Sequence, residues 1–444
     1  MTLPRQTRPA ALVVGAAALL LASGVSAPAH ATPTHAAASR AAAGSLPAVT
    51  PVAETAPLFD DEEGGNANAD DPAIWRNGAD PARSLVIATA KEGGLRVYDL
   101  DAAQVQALAA PAGPGPDDAP GRFNNVDLVH RMPLTTGRAD IAVVTDRGND
   151  RLRVYRIDRS RPGGPLTDIT DPAARPVFSA DQAEINDQRT AYGLATWTDP
   201  ATGRSYALVS RRHETTVALL ELVAAPGGTV GYRKIRSLEL PASFRMPNGT
   251  SWTPCAEPGE RPQVEGMVVD PASGTLYAGQ EDVGIWRVRA DLGGRPELVD
   301  KVREYGVPAT YDEETEECAA GADPGFGGRR LSADVEGLTL ITESDGDGYL
   351  MASSQGDNTF AFYDRELEDD NEYEAGLRIT PGSRDIDGSE ECDGAAALSQ
   401  PLGTKFPRGL LVVQDGHDGP HDGERTATNF KFIDLGKVMD RIDD

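Results

Sequence analysis

The 444-residue sequence predicts an all-β fold, a six-bladed β-propeller with a central channel, and three observations carry that prediction. One sheet unit, made of short β-rich runs separated by Gly/Asp turns, recurs along the chain. The copies lie about 55 to 75 residues apart, longer and less even than solenoid repeats. Each copy also carries polar residues at two matching places, as side chains around a shared channel would.

The clearest copy runs from Asp334 to Asp364. Its acidic D-V-E-G start leads into an apolar run at 338–341, an Asp/Gly turn, a second run at 349–352 and a third at 359–363. The segment 263–288 repeats the pattern, with Glu265-Gly266-Met267 standing where Glu336-Gly337-Leu338 stands. Weaker copies begin at Asp71, Asp127 and Tyr192, and a looser one begins at Asp393. The acidic stretch 366–374 reads as a solvated hairpin between strands of one blade.

Ahead of the propeller, Arg5 and Arg8 flank an apolar stretch at 10–21 that is too short to span a bilayer. Ala29-His30-Ala31 then offers a cleavage site, with Val25-Ser26-Ala27 as an alternative. Residues 1–31 therefore read as a signal peptide, 32–57 as an Ala/Pro-rich disordered leader, and 58–444 as one propeller domain. The expected location is secreted and extracellular.

With 42 Lys plus Arg against 69 Asp plus Glu, the chain disfavours nucleic acid and anionic membranes as partners. Such a balance suits calcium, and equally suits mere solubility. Three cysteines in an exported chain allow one disulfide. Cys255 and Cys318, both in irregular segments between blades, are the favoured pair, with Cys318 and Cys392 as the alternative. No Cys/His spacing suggests zinc. His417 and His421 fall in a Gly/Asp/Pro loop and read as loop residues.

At the first polar position the six units offer Asp71, Asp127, Tyr192, Glu265, Glu336 and Asp393. At the second they offer Lys91, Arg147, Arg211 or Arg212, Glu281, Gln355 and Asp415. Singly, Asp71 before Pro72 would be a turn former and Lys91 or Arg147 a surface charge. Repetition across units argues for a channel instead. The second ring is cationic in the first three units and acidic or amide in the last three. Lys and Arg in a partly dry cleft bind phosphate or carboxylate. Crowded carboxylates facing them need a hard cation, and calcium takes oxygen ligands in flexible geometry. The expected reaction is phosphate ester hydrolysis, with the metal acidifying a bound water and the cations stabilising phosphoryl oxygens.

The motifs ADDPAIW (69–75), NNVD (124–127), AYG (191–193), VEGM (264–267), DVEGLT (334–339), ASSQGDN (352–358), QDG (414–416) and NFK (429–431) resemble those of the β-propeller phytases. These are secreted bacterial enzymes that hydrolyse myo-inositol hexakisphosphate in a calcium-dependent way. The resemblance covers residues 54 to 439. It implies phosphate-contacting or catalytic roles for Lys91, Arg147, Tyr192, Arg212, Glu265 and Glu336. It implies calcium ligands among Asp70, Asp71, Glu265, Glu281, Asp334, Glu336, Asp387 and Asp393, to which the ring positions add Gln355 and Asp415. Several calcium ions, attack by a calcium-bound water, and phytate as its calcium salt are the implied cofactor, mechanism and substrate. The chain departs from the family where Lys91-Glu92 replaces two adjacent lysines, and where Arg211-Arg212-His213-Glu214 replaces a Lys-Glu pair. Cys392 stands in place of a small polar residue. The insertions around Cys255 and Cys318 have no counterpart in short family members. Two rival expectations are another calcium-dependent ester hydrolase, such as a lactonase, and a non-catalytic propeller that binds phosphorylated inositol or calcium. A monomer is expected, because a closed propeller exposes little strand edge.

Overall fold

The computed structural model of the protein describes residues 46–60, 65–382, 386–419 and 426–443. The expected signal peptide and His421 lie outside these residues. Among the described residues, no helix is long and apolar enough to cross a membrane.

Six antiparallel sheets form the six blades. Blade 1 comprises Pro72–Trp75, Leu85–Thr89, Leu95–Tyr98 and Gln104–Leu108. Blade 2 comprises Phe123–Leu134, Gly137–Asp146, Arg151–Ile157 and Leu166–Asp168. Ala191–Thr198, Ser205–Arg211, Thr216–Ala224 and Val230–Glu239 make blade 3. Blade 4 holds Val264–Asp270, Thr275–Gln280, Gly284–Arg289 and Glu297–Lys301. Blade 5 holds Val335–Thr342, Gly348–Ser354, Thr359–Asp364 and Tyr373–Ile379. Blade 6 is built from Ala395–Leu398, Leu410–Asp415 and Ala427–Asp434. The first strand of each blade neighbours the first strand of the next, and blade 6 returns to blade 1, which closes the ring.

The strands' period-2 pattern explains the closure. Alternate residues point to opposite faces of a sheet, so each blade feeds two apolar layers. In blade 1, Leu85 and Ile87 pack with Ala142 and Val144 of blade 2. Between them, Val86 and Ala88 pack with Val412, Phe430 and Phe432 of blade 6. Ile141 and Val143 then face blade 3, and three further layers complete the ring. Burying each large apolar side chain contributes roughly 1.5–3 kcal/mol.

The leader expectation is corrected at its end. Ala48–Val49 runs parallel to the outer strand of blade 5, pairing Val49 with Ile379. Ala53–Glu54 is the outer strand of blade 6, pairing antiparallel with Lys431 and Phe432. Composition misled there because open strand edges recruit backbone partners whatever the side chains: Val52 N–H donates to Phe432 O at 2.8 Å and Thr55 N–H to Phe430 O at 3.0 Å. One propeller thus draws its last blade from both ends of the domain.

The two insertions flanking blade 4 form small hairpins, Phe244–Arg245 with Ser251–Trp252 and Ala309–Asp312 with Glu317–Ala320. Cys255 and Cys318 join them in a disulfide, as favoured from sequence. Cys392 is a free, buried thiol.

Candidate active site

Two repeated devices bring polar side chains to the channel. The first is a bulge near the start of the first strand. Register against the second strand slips between Phe123 and Val126, Ala191 and Leu194, Val264 and Met267, and Val335 and Leu338. The slipped residues include Asn124, Tyr192, Glu265 and Glu336, and a bulge re-aims the side chain it carries. Glycine follows three of these. A Cβ on Gly193 would lie 2.1 Å from Glu265 O, and one on Gly266 would lie 1.8 Å from Glu336 O. The bare backbone therefore lets neighbouring first strands approach, which draws Tyr192, Glu265 and Glu336 into one group.

The second device sits at the end of the second strand. Hydroxyls of Thr89, Thr145, Ser210 and Ser353 donate to carbonyls of Asn124, Tyr192, Val264 and Cys392 in the next blade. Two residues beyond each hydroxyl stand Lys91, Arg147, Arg212 and Gln355. This settles the register in blade 3. Arg212 is buried at the channel. Arg211 instead lies over the Phe178 ring and donates to Arg189 O at 2.8 Å.

The acidic side centres on Glu265, Glu281 and Glu336, all buried, each with a carboxylate oxygen within 4.8 Å of the others'. Both oxygens of Glu265 are held: Oε1 accepts from Asn124 Nδ2 at 2.7 Å and Oε2 from the Tyr192 hydroxyl at 2.5 Å. Glu281 Oε2 accepts from Gln263 Nε2 at 3.0 Å. Glu281 Oε1, Glu336 Oε2 and both oxygens of Asp70 are buried without a hydrogen-bond partner. Burial, and then Asp334 and Glu265, push the Glu281 carboxyl well above its ordinary range. Burial, then Glu265 and Glu281, do the same to Glu336. Asp282, beside Asp334 and Glu304, is likewise pushed up, chiefly by burial. Crowded carboxylates with unused oxygens and an all-oxygen donor set fit a hard divalent cation such as calcium.

The opposite side is cationic. Lys91 Nζ lies 3.1 Å from Asp393 Oδ2, whose Oδ1 accepts from Gln355 Nε2 at 2.9 Å. Arg147 donates from Nη1 to Asn124 Oδ1 at 3.1 Å and stands 5.6 Å over the Tyr192 ring. Burial, and then Arg147, disfavour the charge on Arg212. Burial, then Arg147, do the same to Arg122. Lys91, Arg122, Arg147 and Arg212 thus face Asp70, Glu265, Glu281 and Glu336.

Several expected site residues lie elsewhere or are otherwise engaged. Asp127 does not join the first ring; its Oδ2 accepts from Thr196 N–H at 2.6 Å in blade 3, and Asn124 takes its place. Asp71 Oδ2 makes the matching staple from blade 1, accepting from Val126 N–H at 2.9 Å. Asp387 and Asp415 meet around Lys431 rather than with Glu281 and Gln355. The Lys431 ammonium, fully buried, pairs with Asp387, with Glu54 at 2.7 Å, with Asp415 at 3.0 Å and with Asp418 at 3.2 Å. Asp415 sits there because its strand pairs with the strand that carries Lys431, and its Oδ1 accepts from Glu390 N–H at 2.9 Å. Burial raises the Asp415 carboxyl to about 6 even against the ammonium. His417 pairs with Glu391 at 3.1 Å.

Arg122, Asn124, Gln263 and Asp282 were not among the site residues expected from the sequence, although Asn124 opens the NNVD motif. Asn124 carried a signal, since it occupies the slipped position that Tyr192, Glu265 and Glu336 occupy in later blades.

Residues 10–246 and 257–444 match the family described as Phytase. The chain is 33% identical over 398 residues to a 3-phytase of Bacillus subtilis, covering 89% of this chain and 85% of that protein. Among solved structures it is similar to a calcium-binding protein, regucalcin, of Agrobacterium tumefaciens, with a TM-score of 0.44 and 11% identity over 88% of this chain and 96% of that one. It is also similar to a periplasmic gluconolactonase of Pseudomonas aeruginosa, with a TM-score of 0.36 and 13% identity over 66% of this chain and 67% of that one. The extent of the family match and the identity to the Bacillus enzyme place this chain in the phytase family, as a phosphoric monoester hydrolase.

Proposed function

We propose that the protein is a secreted, calcium-dependent phytase that releases phosphate from myo-inositol hexakisphosphate, taken as its calcium salt. The observation that carries this reading is the division of the channel. Lys91, Arg122, Arg147 and Arg212 face four buried carboxylates, of which Asp70, Glu281 and Glu336 keep unused oxygens. Cations alone would suit any anion. Cations set against carboxylates that demand a metal suit a polyanion that itself carries divalent ions.

Asp70, Glu265, Glu281 and Glu336 are the residues that would hold calcium. When bound, the ion supplies charge neutralisation and a lowered pKa for water at the reacting phosphate. The chain's own groups do the rest. Arg147 and Arg212 present guanidinium donors to phosphoryl oxygens, where charge builds as the ester bond breaks. Lys91 adds a point charge whose position Asp393 fixes. Tyr192 and Asn124 orient Glu265 by holding one oxygen each. Export is supported by the reading of residues 1–31 and by the Cys255–Cys318 disulfide, which suits an oxidising compartment. A monomer remains the proposal for the assembly.

Calorimetric calcium titration of wild type against E281Q and E336Q tests the metal assignment. The variants are expected to lose at least one binding event and to need more calcium for half-maximal phosphate release. Unchanged calcium stoichiometry and affinity in both would contradict it.

A further inference from the structure

The far end of blade 2 carries a group of cations that the channel does not use. A cavity of about 390 Å³ opens there, lined by Arg131, Arg138 and Arg156 together with Asp140 and Asp158. Arg138 stands near the start of the strand Gly137–Asp146 and Arg147 just past its end. At about 3.4 Å per residue, roughly 30 Å of extended chain separates the cavity from the channel cations.

The backbone is bent to build this wall. Register against the second strand slips between Val129 and Met132, and Arg131 takes a φ of 52°. That is left-handed backbone, which a long side chain enters only at a cost. Asp140 holds the bend: its Oδ1 accepts from Arg131 N–H at 2.7 Å and its Oδ2 from Trp75 Nε1 of blade 1 at 2.8 Å. Arg138 Nη1 donates to Arg131 O at 3.0 Å, which draws a second guanidinium to the same bulge. A bulge re-aims the side chain it carries, and here it makes Arg131 part of the cavity wall.

The two carboxylates leave the three guanidiniums unpaired. Asp140 is spent on the bulge and on His130, whose Nδ1 lies 3.8 Å away. Asp158 Oδ1 accepts from Ser160 N–H at 3.0 Å and from the Ser160 hydroxyl at 2.6 Å. Ser160 chiefly, with smaller effects from Arg156 and Arg161, holds the Asp158 carboxyl below its ordinary range. Among the described residues, Arg131, Arg138 and Arg156 form no salt bridge. Acidic residues outnumber basic ones by 69 to 42 in this chain, so carboxylates are not scarce. Other exposed arginines reach them, as Arg233 does Glu221, Arg289 does Asp291 and Arg408 does Asp440.

We propose that this cavity is an anion site remote from the channel, which binds one phosphate group through Arg131, Arg138 and Arg156. Three guanidinium forks around one space offer more donors than the two oxygens of a carboxylate can accept, whereas a phosphate dianion presents three or four. Inorganic phosphate and a phosphate carried on a small ring share that chemistry, and the volume admits either. The proposal does not rest on the reaction in the channel, because no channel residue takes part.

Calorimetry of wild type, R156Q and R131Q/R156Q tests it, with inorganic phosphate and separately with myo-inositol 2-monophosphate, all in chelator. Anion binding in the channel is common to the three proteins, so the differences report the cavity. R156Q alters an exposed position on the regular strand Arg151–Ile157 and is expected to weaken one binding event about tenfold. R131Q/R156Q is expected to lose that event while kcat/KM for phytate stays within about twofold of wild type. Tighter binding of the ring ester than of inorganic phosphate in the lost event assigns the site to ring-borne phosphate, and the reverse order assigns it to the free ion. Folded variants that take up both ligands with wild-type stoichiometry and affinity would overturn the proposal. A loss of kcat/KM for phytate of about tenfold in R131Q/R156Q would place these arginines in the reaction and overturn the remote site. If wild type releases no phosphate from phytate yet the binding difference persists, the phytase reading fails while the cavity site stands.

Discussion

The Tyr192 hydroxyl donates to Glu265 Oε2 at 2.5 Å across the boundary between blades 3 and 4, and this bond sets the position of the carboxylate that faces Arg147. It exists because Gly193 lets the backbone of Glu265 come close to that of blade 3. Burial, and then Glu265, Glu281 and Glu336, hold the phenol well above its ordinary pKa, so it remains a donor throughout the working range.

Removing that hydroxyl isolates its contribution. Y192F is expected to cost about 1–2 kcal/mol in stability and to lower kcat/KM for phytate about tenfold or more, since Glu265 loses one of two fixed donors. Thermal melts and steady-state kinetics check it. Wild-type kinetics in Y192F would mean that Glu265 needs only Asn124.

Lys431 fastens the ring. Its buried ammonium joins Glu54 of the N-terminal strand to Asp387, Asp415 and Asp418. The carboxylates outweigh burial and raise its pKa. K431M leaves those carboxylates crowded and is expected to destabilise the calcium-free protein by about 3–5 kcal/mol. A chain starting at residue 58 should also melt below one starting at residue 46, because it lacks the strand pairing of Ala48–Val49 and Ala53–Glu54. Denaturant unfolding of these variants decides both points.

Three buried carboxylates on the acidic side, Asp70, Glu281 and Glu336, predict an unusual pH response. Folding pushes the carboxyls of Asp70, Glu281 and Glu336 upward, chiefly by burial. The unfolded chain therefore gives up these protons first as pH rises, and the folded state loses stability from the ordinary carboxylate range up through the raised values. With chelator present, the melting temperature should fall across that window. With excess calcium the fall should vanish, because the metal favours the ionised form. A chelated protein that becomes more stable over the same window would refute the reading of the trio.

The disulfide closes a span of 63 residues that includes blade 4. Replacing Cys255 and Cys318 with serine is expected to cost about 2–4 kcal/mol. Melts under oxidising and reducing conditions measure it. Buried Cys392, whose thiol is pushed up to about 12 mainly by burial, should resist thiol reagents in the folded protein.

The repeat, the blade number and most of the two rings were legible in the sequence because one sheet unit recurs with polar residues at two matching places. Tyr192, Glu265 and Glu336 were found for that reason. Asp127 was misplaced because the slip between Phe123 and Val126 moves the channel position back to Asn124, and a slip leaves no residue type of its own. Arg212 could be told from Arg211 only once Ser210 was seen to bond Val264 O. Arg122 was missed because it reaches the site from the loop before a strand, outside both repeated positions. The Lys431 cluster joins residues from positions 54 to 431, a juxtaposition that only ring closure creates.

The central claim is that calcium held by the acidic side and cations opposite it together release phosphate from phytate. The direct test is phosphate release by the mature protein with calcium, with excess chelator, and with calcium restored. The account predicts release that stops with chelator and returns on re-addition. Release that continues at full rate in chelator would contradict it.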